Sequence, residues 1–166
     1  MVLDESEVAQ IVAAVMATPG LVKTAKKPVK KNFEKRMVAE YVLRNYKRCP
    51  QWRNARVGDY KEAGMTNYYA FIRRWADAIV IDGKKAIIIE GKVKPNPGAI
   101  SQMQLYMREF PRTPEFTIYK NYYVIGRIVC VFEDAVVEKM AKEAGIEWEV
   151  YHPEFYGEIL EAYGMV

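Results

Sequence analysis

The fold of this chain is decided by residues 74–92, which read RWADAIVIDGKKAIIIEGK. Two runs rich in β-forming residues flank Asp82-Gly83, and an Asp-Gly pair between such runs is a strong signal for a β-hairpin. We predict that these two residues form the loop, so that Ile81 pairs with Lys84. The second run is apolar from Ala86 to Ile89, as expected of a strand that is buried on both faces.

Three charged side chains share one face of this hairpin. In the predicted register Asp77 lies opposite Ile88. Because side chains alternate between the two faces of a sheet, Glu90 and Lys92 then point the same way as Asp77. Asp77 and Glu90 become diagonal neighbours with backbones roughly 7–8 Å apart, so both carboxylates can reach one cation. The alternative is a purely structural ion pair between Glu90 and Lys92 at the end of a buried strand.

A helix is predicted from about Ala99 to Phe110, after a break at 93–98 that contains two prolines and a glycine. Gln102 and Tyr106 lie one turn apart on its inward face. Both fit the rim of a core, where amide and phenol groups find hydrogen-bond partners. They also fit a site beside the acidic cluster, where Gln102 would orient a water or a phosphate and Tyr106 would bond a phosphate oxygen or stack on a base.

This arrangement of side chains resembles the PD-(D/E)XK nuclease superfamily, and the glutamine–tyrosine helix is most similar to its RecB-type branch. The resemblance is carried by Asp77, by Glu90-Gly91-Lys92, and by Gln102 and Tyr106. It implies an α/β fold with a restriction-endonuclease-like core, in which helices flank a central mixed β-sheet. It also implies a metal-dependent nuclease that hydrolyses phosphodiester bonds in DNA.

The resemblance implies a role for each of these residues. The implied catalytic residues are Asp77, Glu90, Lys92, Gln102 and Tyr106. The implied ligands of Mg²⁺ or Mn²⁺ are Asp77, Glu90 and the carbonyl oxygen of Gly91. Lys92 would assist the attacking water or neutralise the charge that develops on the phosphate.

A further metal ligand is implied for the first core helix, which we predict at residues 32–48. The candidates are Glu34 and Glu40. We favour Glu34, because it lies beside the apolar stripe of this helix. Glu40 has Arg36 and Arg44 one turn away, which is typical of an ion pair on the protein surface.

Positive charge is concentrated in the N-terminal half, although the net charge is only +4. Such clustering favours DNA, whose phosphate backbone is negative, and it is equally compatible with a solvated surface. The predicted DNA contacts are Lys27, Lys30, Lys31, Arg73 and Arg74. The alternative functions are a nucleic-acid-binding protein with a catalytically inactive nuclease-like fold, and a structural or partner-binding protein.

Composition predicts a soluble protein with no membrane partner, since 51% of the residues are hydrophobic, 28% are charged and no apolar run has the length of a membrane span. The two cysteines, Cys49 and Cys130, lie far apart and do not indicate a disulfide framework, so the reducing cytoplasm is the expected location. A single histidine, His152, disfavours histidine-based chemistry and a zinc site. We predict that residues 1–22 form an N-terminal helix or arm and that residues 23–166 form a single domain. This segment would be either a helix that mediates dimerisation or a mobile arm. A homodimer is therefore one predicted assembly.

The predicted order of elements is helix, three strands, helix, strand, helix, strand, which is typical of a helix-flanked mixed sheet. Outside the hairpin, the predicted strands are 54–60, 122–132 and 147–151. Asp134 is predicted to cap a helix that reaches Ala144 and stops at Gly145, and a last helix is predicted at 154–163.

Overall fold

Helices and strands follow one another in the predicted order. A computed structural model describes residues 32–59 and 74–166, and Asn32–Val166 belongs to one compact unit. Its elements are α1 (Phe33–Tyr46), β1 (Gln51–Val57), β2 (Arg74–Asp82), β3 (Lys85–Lys92), α2 (Pro97–Glu109), β4 (Tyr123–Cys130), α3 (Ala135–Glu143), β5 (Glu147–Val150) and α4 (Tyr156–Ala162). Short 3-10 helices at Phe110–Arg112 and Pro114–Tyr119 connect α2 to β4.

Within the described residues, five strands form one mixed sheet in the order β1-β2-β3-β4-β5. The first three strands are antiparallel neighbours, whereas β3, β4 and β5 are parallel and are joined by α2 and α3. The apolar side chains of α1 and α4 cover one face of the sheet, and those of α2 and α3 cover the other. The predicted α/β fold, a central mixed sheet flanked by helices, is confirmed.

The central strand β3 is buried from Ala86 to Gly91, as its unbroken apolar run predicts. Of the other elements, α3 is capped by Asp134, whose side chain accepts hydrogen bonds from two N–H groups of the first turn, and it ends before Gly145 at φ +70°. The strand predicted at 54–60 begins earlier, at Gln51. The alternating pattern does not reveal its first residues, because Asn54 interrupts the pleat with φ +47°.

The hairpin loop is shifted by one residue from the prediction. Asp82 still belongs to the strand and pairs with Lys85, so Gly83-Lys84 form the two-residue loop. Gly83 has φ +59°. A type II′ turn needs this backbone conformation at its first loop position, and glycine adopts it without steric strain. The predicted pairing of Ile81 with Lys84 is therefore wrong.

The corrected register differs from the predicted one by two residues, so the paired side chains of the two strands keep their predicted faces. The ladder between β2 and β3 ends at Ala78 and Ile89. One step further, Asp77 lies in line with Glu90 and not with Ile88. Because β2 continues along β1 to its first residue, β2 and β3 part at Asp77, and this fork positions the candidate site.

The predicted N-terminal helix or arm and its boundary at residue 22 lie outside the described residues. Among residues 32–59 and 74–166, no helix is both long enough and apolar enough to cross a membrane.

Candidate active site

Gly91 brings helix α1 directly against the end of β3. A Cβ atom at this position would lie 2.5 Å from Val38 Cγ2 and 3.2 Å from the carbonyl oxygen of Glu34, so a larger residue would push the helix away. With α1 seated here, Glu34 Oε1 accepts a hydrogen bond from the Val93 N–H at 3.2 Å. Glu34 therefore lies at the end of β3, beside the charged residues of the hairpin.

Glu40, the other candidate on α1, lies elsewhere. Its carboxylate accepts hydrogen bonds from the Tyr151 hydroxyl at 2.7 Å and from the Glu154 N–H at 3.0 Å. Arg44 is 3.7 Å away on the same helix. Through these contacts Glu40 connects α1 to the segment after β5. Of the two candidates, Glu34 is therefore the one that lies near the hairpin.

Asp77 lies in the fork between β2 and β3. Its Oδ2 accepts a hydrogen bond from the Gly91 N–H at 2.9 Å, at the point where the ladder between the two strands has ended. Burial raises the pKa of Asp77 above its ordinary value, and the negative charge of Glu34 raises it further. The Gly91 N–H and the positive charge of Lys92 oppose this shift only in part.

Glu90 is buried, with only 4% of its side chain exposed, and its Oε1 lies 2.9 Å from Lys92 Nζ. Its Oε2 is also buried and has no hydrogen-bond partner among the described residues. Burial, followed by the negative charge of Asp77, raises the pKa of Glu90 to about 7. Burial lowers the pKa of Lys92, but the charge of Glu90 and the hydrogen bond to it outweigh that effect, so the pKa of Lys92 is raised and its amine stays cationic.

The donor set fits a hard cation with two protein carboxylates. Within the described residues, no three carboxylate, histidine or cysteine side chains converge as they would in an all-protein metal cage. Mg²⁺ usually keeps several waters and binds through one or two carboxylates together with substrate phosphates, so a pair is sufficient. The buried and unpartnered Oε2 of Glu90 is the feature that a cation would satisfy.

Gln102 and Tyr106 form a hydrogen-bond chain that ends on β2. Gln102 Nε2 lies 2.6 Å from the Tyr106 hydroxyl, which donates to the carbonyl oxygen of Trp75 at 2.9 Å. Tyr106 is 1% exposed, so its ring packs in the core and is closed to a base. The base-stacking role predicted for Tyr106 is therefore corrected to a positioning role, because its hydroxyl holds the backbone two residues before Asp77.

The predicted DNA contacts fall mostly on parts of the chain that are not described. Lys27, Lys30, Lys31 and Arg73 lie outside the described residues, and Arg74 is the first residue of β2.

Sequence reasoning missed two features beside the site. The positive charge of Lys35 lowers the pKa of Asp77, and its position directly after Glu34 was the available signal. The other feature is the pair Arg56 and Trp75, which depends on the register of β1 against β2.

The raised pKa of Glu90 predicts that the metal-free protein loses stability as the pH rises. Between its ordinary pKa of 4.5 and about 7, the unfolded chain releases a proton that the folded chain retains. The free energy of unfolding therefore falls by about 3 kcal/mol across this window. We expect Glu90→Gln to flatten the fall, while Asp77 contributes a smaller fall of the same sign. Urea unfolding in EDTA, from about pH 5 to about pH 8, measures this dependence of the free energy of unfolding on pH. A Glu90→Gln variant with the same pH dependence as the wild type would contradict the prediction. The remote variant Glu143→Gln is the control.

No protein-family model matches the chain, and no curated protein is significantly similar to it. Its fold is similar to that of a repair endonuclease from Pyrococcus abyssi, with 17% sequence identity, a TM-score of 0.49, and coverage of 72% of this chain and 47% of that one. It is also similar to the EndoMS protein in a complex with double-stranded DNA, with 14% identity, a TM-score of 0.44, and coverage of 73% and 46%. A third structure, a protein of unknown function named AF1548, has 15% identity, a TM-score of 0.48, and coverage of 80% and 66%.

The chain thus spans about half the length of the first two of these proteins. A likeness at this distance describes the path of the backbone alone.

Proposed function

We propose that this chain is a metal-dependent nuclease of the PD-(D/E)XK type, similar to the RecB branch, which hydrolyses phosphodiester bonds in DNA. The observation that supports this most is the buried pair Asp77 and Glu90 at the fork of β2 and β3, with Glu90 Oε2 left without a partner among the described residues. Burial raises the pKa of both carboxylates, and the charge of Asp77 raises that of Glu90 further, so the pair is unfavourable unless a cation or a proton neutralises it.

Asp77 and Glu90, with the carbonyl oxygen of Gly91, are the proposed holders of a divalent cation, and Glu34 is the proposed further acid. Bound Mg²⁺ or Mn²⁺ would supply Lewis-acid chemistry, which polarises a phosphoryl oxygen and acidifies water. The protein's part is to hold the carboxylates in a buried place, where electrostatic interactions are stronger than in water. Gly91 serves this by its N–H, which fixes one oxygen of Asp77.

Lys92 is the residue that we propose to act on the reacting phosphate. Its amine lies beside Glu90 and is 18% exposed, so a substrate can approach it from solvent. Because its pKa is raised, the amine stays protonated at neutral pH. A fixed positive charge stabilises the negative charge that accumulates on a phosphate during hydrolysis. Gln102 and Tyr106 are proposed to hold β2 in place through their hydrogen bonds.

The second candidate function is DNA binding by an inactive nuclease-like fold. It is favoured by the 2.9 Å ion pair, which already neutralises Glu90 through Lys92. In this case the acids would serve structure alone. The two candidate functions differ in their dependence on a divalent cation, which only the nuclease requires.

A panel of labelled DNA substrates, incubated with and without Mg²⁺ or Mn²⁺, tests the proposal. The panel contains single-stranded, duplex, flapped and branched DNA, with an RNA strand for comparison. We expect cleavage of DNA only when the cation is present. DNA that is bound but left intact under every condition would support the inactive fold instead.

The two glutamates of α1 give a matched test in the same assay. We expect Glu34→Gln to lower the rate of cleavage by roughly 10- to 100-fold, the size typical of a residue that supports a metal site. We expect Glu40→Gln to leave the rate within about 2-fold and to lower the free energy of unfolding by about 1 kcal/mol, because hydrogen bonds to Tyr151 and Glu154 weaken. The reverse pattern would assign the further acid to Glu40.

A further inference from the structure

An exposed aromatic ring with a cation stacked on it belongs to β2, the strand that carries Asp77. Trp75 on β2 is 51% exposed, and Arg56 Cζ lies 4.5 Å from the centroid of its ring. The two residues are directly opposite each other across β1 and β2. A tryptophan that stays half in water gains little of the stabilisation that burial provides. About half of the residue thus stays accessible to a ligand.

The backbone of Trp75 lies close to that of Asp77. Trp75 precedes Asp77 by two residues on the same strand, a backbone distance of about 6.6 Å. Its carbonyl oxygen accepts the 2.9 Å hydrogen bond from the buried hydroxyl of Tyr106. Helix α2 thus anchors the backbone of Trp75, two residues before Asp77.

Cations lie on the ring itself, further along β1 and on α1. Arg56 stacks on the ring, and Arg53, which is also exposed on β1, donates a hydrogen bond to the carbonyl oxygen of Ala39 on α1 at 3.4 Å. Lys35 lies near enough for its charge to act on Asp77. An exposed aromatic ring stacked with an arginine has the chemistry that single-stranded nucleic acid recognises, with a phosphate on the cation and a base on the ring.

We propose that Trp75, held by Arg56, is a stacking platform for an unpaired base of the DNA strand next to the phosphate that the acids act on. This rests on the proposed nuclease function and names its substrate class, DNA with unpaired bases at the point of cleavage. A base inside a duplex has both faces covered by its neighbours, so it cannot stack on a protein ring without leaving the helix. The platform therefore selects single-stranded, flapped or frayed DNA over blunt duplex.

The test measures the affinity of the full chain for three labelled ligands in EDTA, so that cleavage plays no part. They are an oligothymidine, an abasic strand of the same length, and a blunt duplex. We expect Trp75→Ala to weaken binding of the oligothymidine by about 10-fold or more, within the range of roughly 5- to 150-fold that loss of one stacked base gives. Binding of the abasic strand and of the duplex should change by less than about 2-fold.

Two further variants keep the test decisive. Trp75→Phe retains a smaller ring and should lose less affinity than Trp75→Ala. Tyr123→Ala removes another exposed aromatic side chain, 71% exposed at the far end of β4, and should bind all three ligands as the wild type does. Circular dichroism and thermal unfolding of each variant confirm that it is folded.

Equal losses on the thymidine and abasic strands would overturn the proposal, because the ring would then serve the backbone or the fold. So would a wild-type protein that does not prefer the thymidine strand to the abasic one. The outcome is separable from that of the nuclease proposal. Metal-dependent cleavage with no effect of Trp75 on binding defeats the platform alone, whereas base-dependent binding through Trp75 without any cleavage defeats the nuclease alone.

Discussion

Replacement of Glu90 by glutamine is expected to lower the rate of metal-dependent DNA cleavage by more than about 100-fold. Loss of a residue that only supports a metal ligand already costs roughly 10- to 100-fold, and Glu90 is proposed to be a ligand itself. Glutamine keeps the size of the side chain but removes the charge that a cation needs. Asp77→Asn is expected to have an effect of the same size. Initial rates on labelled single-stranded and flapped DNA, at equal protein concentration, measure both.

The matched control for this series is Asp82→Asn. Asp82 belongs to β2, as Asp77 does, but it lies at the hairpin end, where it pairs with Lys85 and is exposed. Its rate should stay within about 2-fold of the wild type, as expected for a surface substitution remote from the site. Full activity in Glu90→Gln would end the assignment of these acids, whatever the control shows.

The second large effect is stabilisation by the cation. A ligand that binds only the folded state stabilises it by about 2.7 kcal/mol at 100 times its dissociation constant. For a domain of this size that corresponds to a rise in melting temperature of roughly 5–10 °C. We expect Mn²⁺ or Mg²⁺ to produce this rise in the wild type and to produce almost none in Glu90→Gln. Differential scanning calorimetry of EDTA-treated protein, titrated with each cation, measures it.

This prediction separates the two candidate functions without the need for a substrate. Lys92→Met is an informative companion, because it removes the amine that neutralises Glu90 while the carboxylates remain. In this variant the cation should still raise the melting temperature, although cleavage should be lost. A wild-type protein whose melting temperature does not respond to either cation would favour the inactive fold.

Much of the architecture is readable from local pattern. The unbroken apolar run of β3 and the proline break after it predict a central strand followed by a crossover helix. The loop of the hairpin was predicted one residue too early, because an Asp-Gly pair can place its glycine at either loop position. The paired residues of β2 and β3 keep their predicted faces despite this error, since the register changed by an even number of residues.

The finer features of the site depend on contacts between distant parts of the chain. Glu34 lies at the end of β3 because α1 packs directly on Gly91. The spacing of apolar residues on α1 shows which face of the helix is buried, but it does not show which part of the sheet that face contacts. The burial of the Tyr106 ring depends on how closely α2 approaches β2. The pairing of Arg56 with Trp75 depends on the register between two strands that are far apart in sequence.

The most direct test of the central claim, that Asp77 and Glu90 hold a divalent cation, is anomalous diffraction from crystals of the wild-type protein grown with Mn²⁺. We predict an anomalous peak within coordination distance, about 2.0–2.2 Å, of one carboxylate oxygen of Asp77 and of Glu90 Oε2. A crystal that holds Mn²⁺ elsewhere, with no peak at this pair and with Glu90 still bonded to Lys92, would contradict the account.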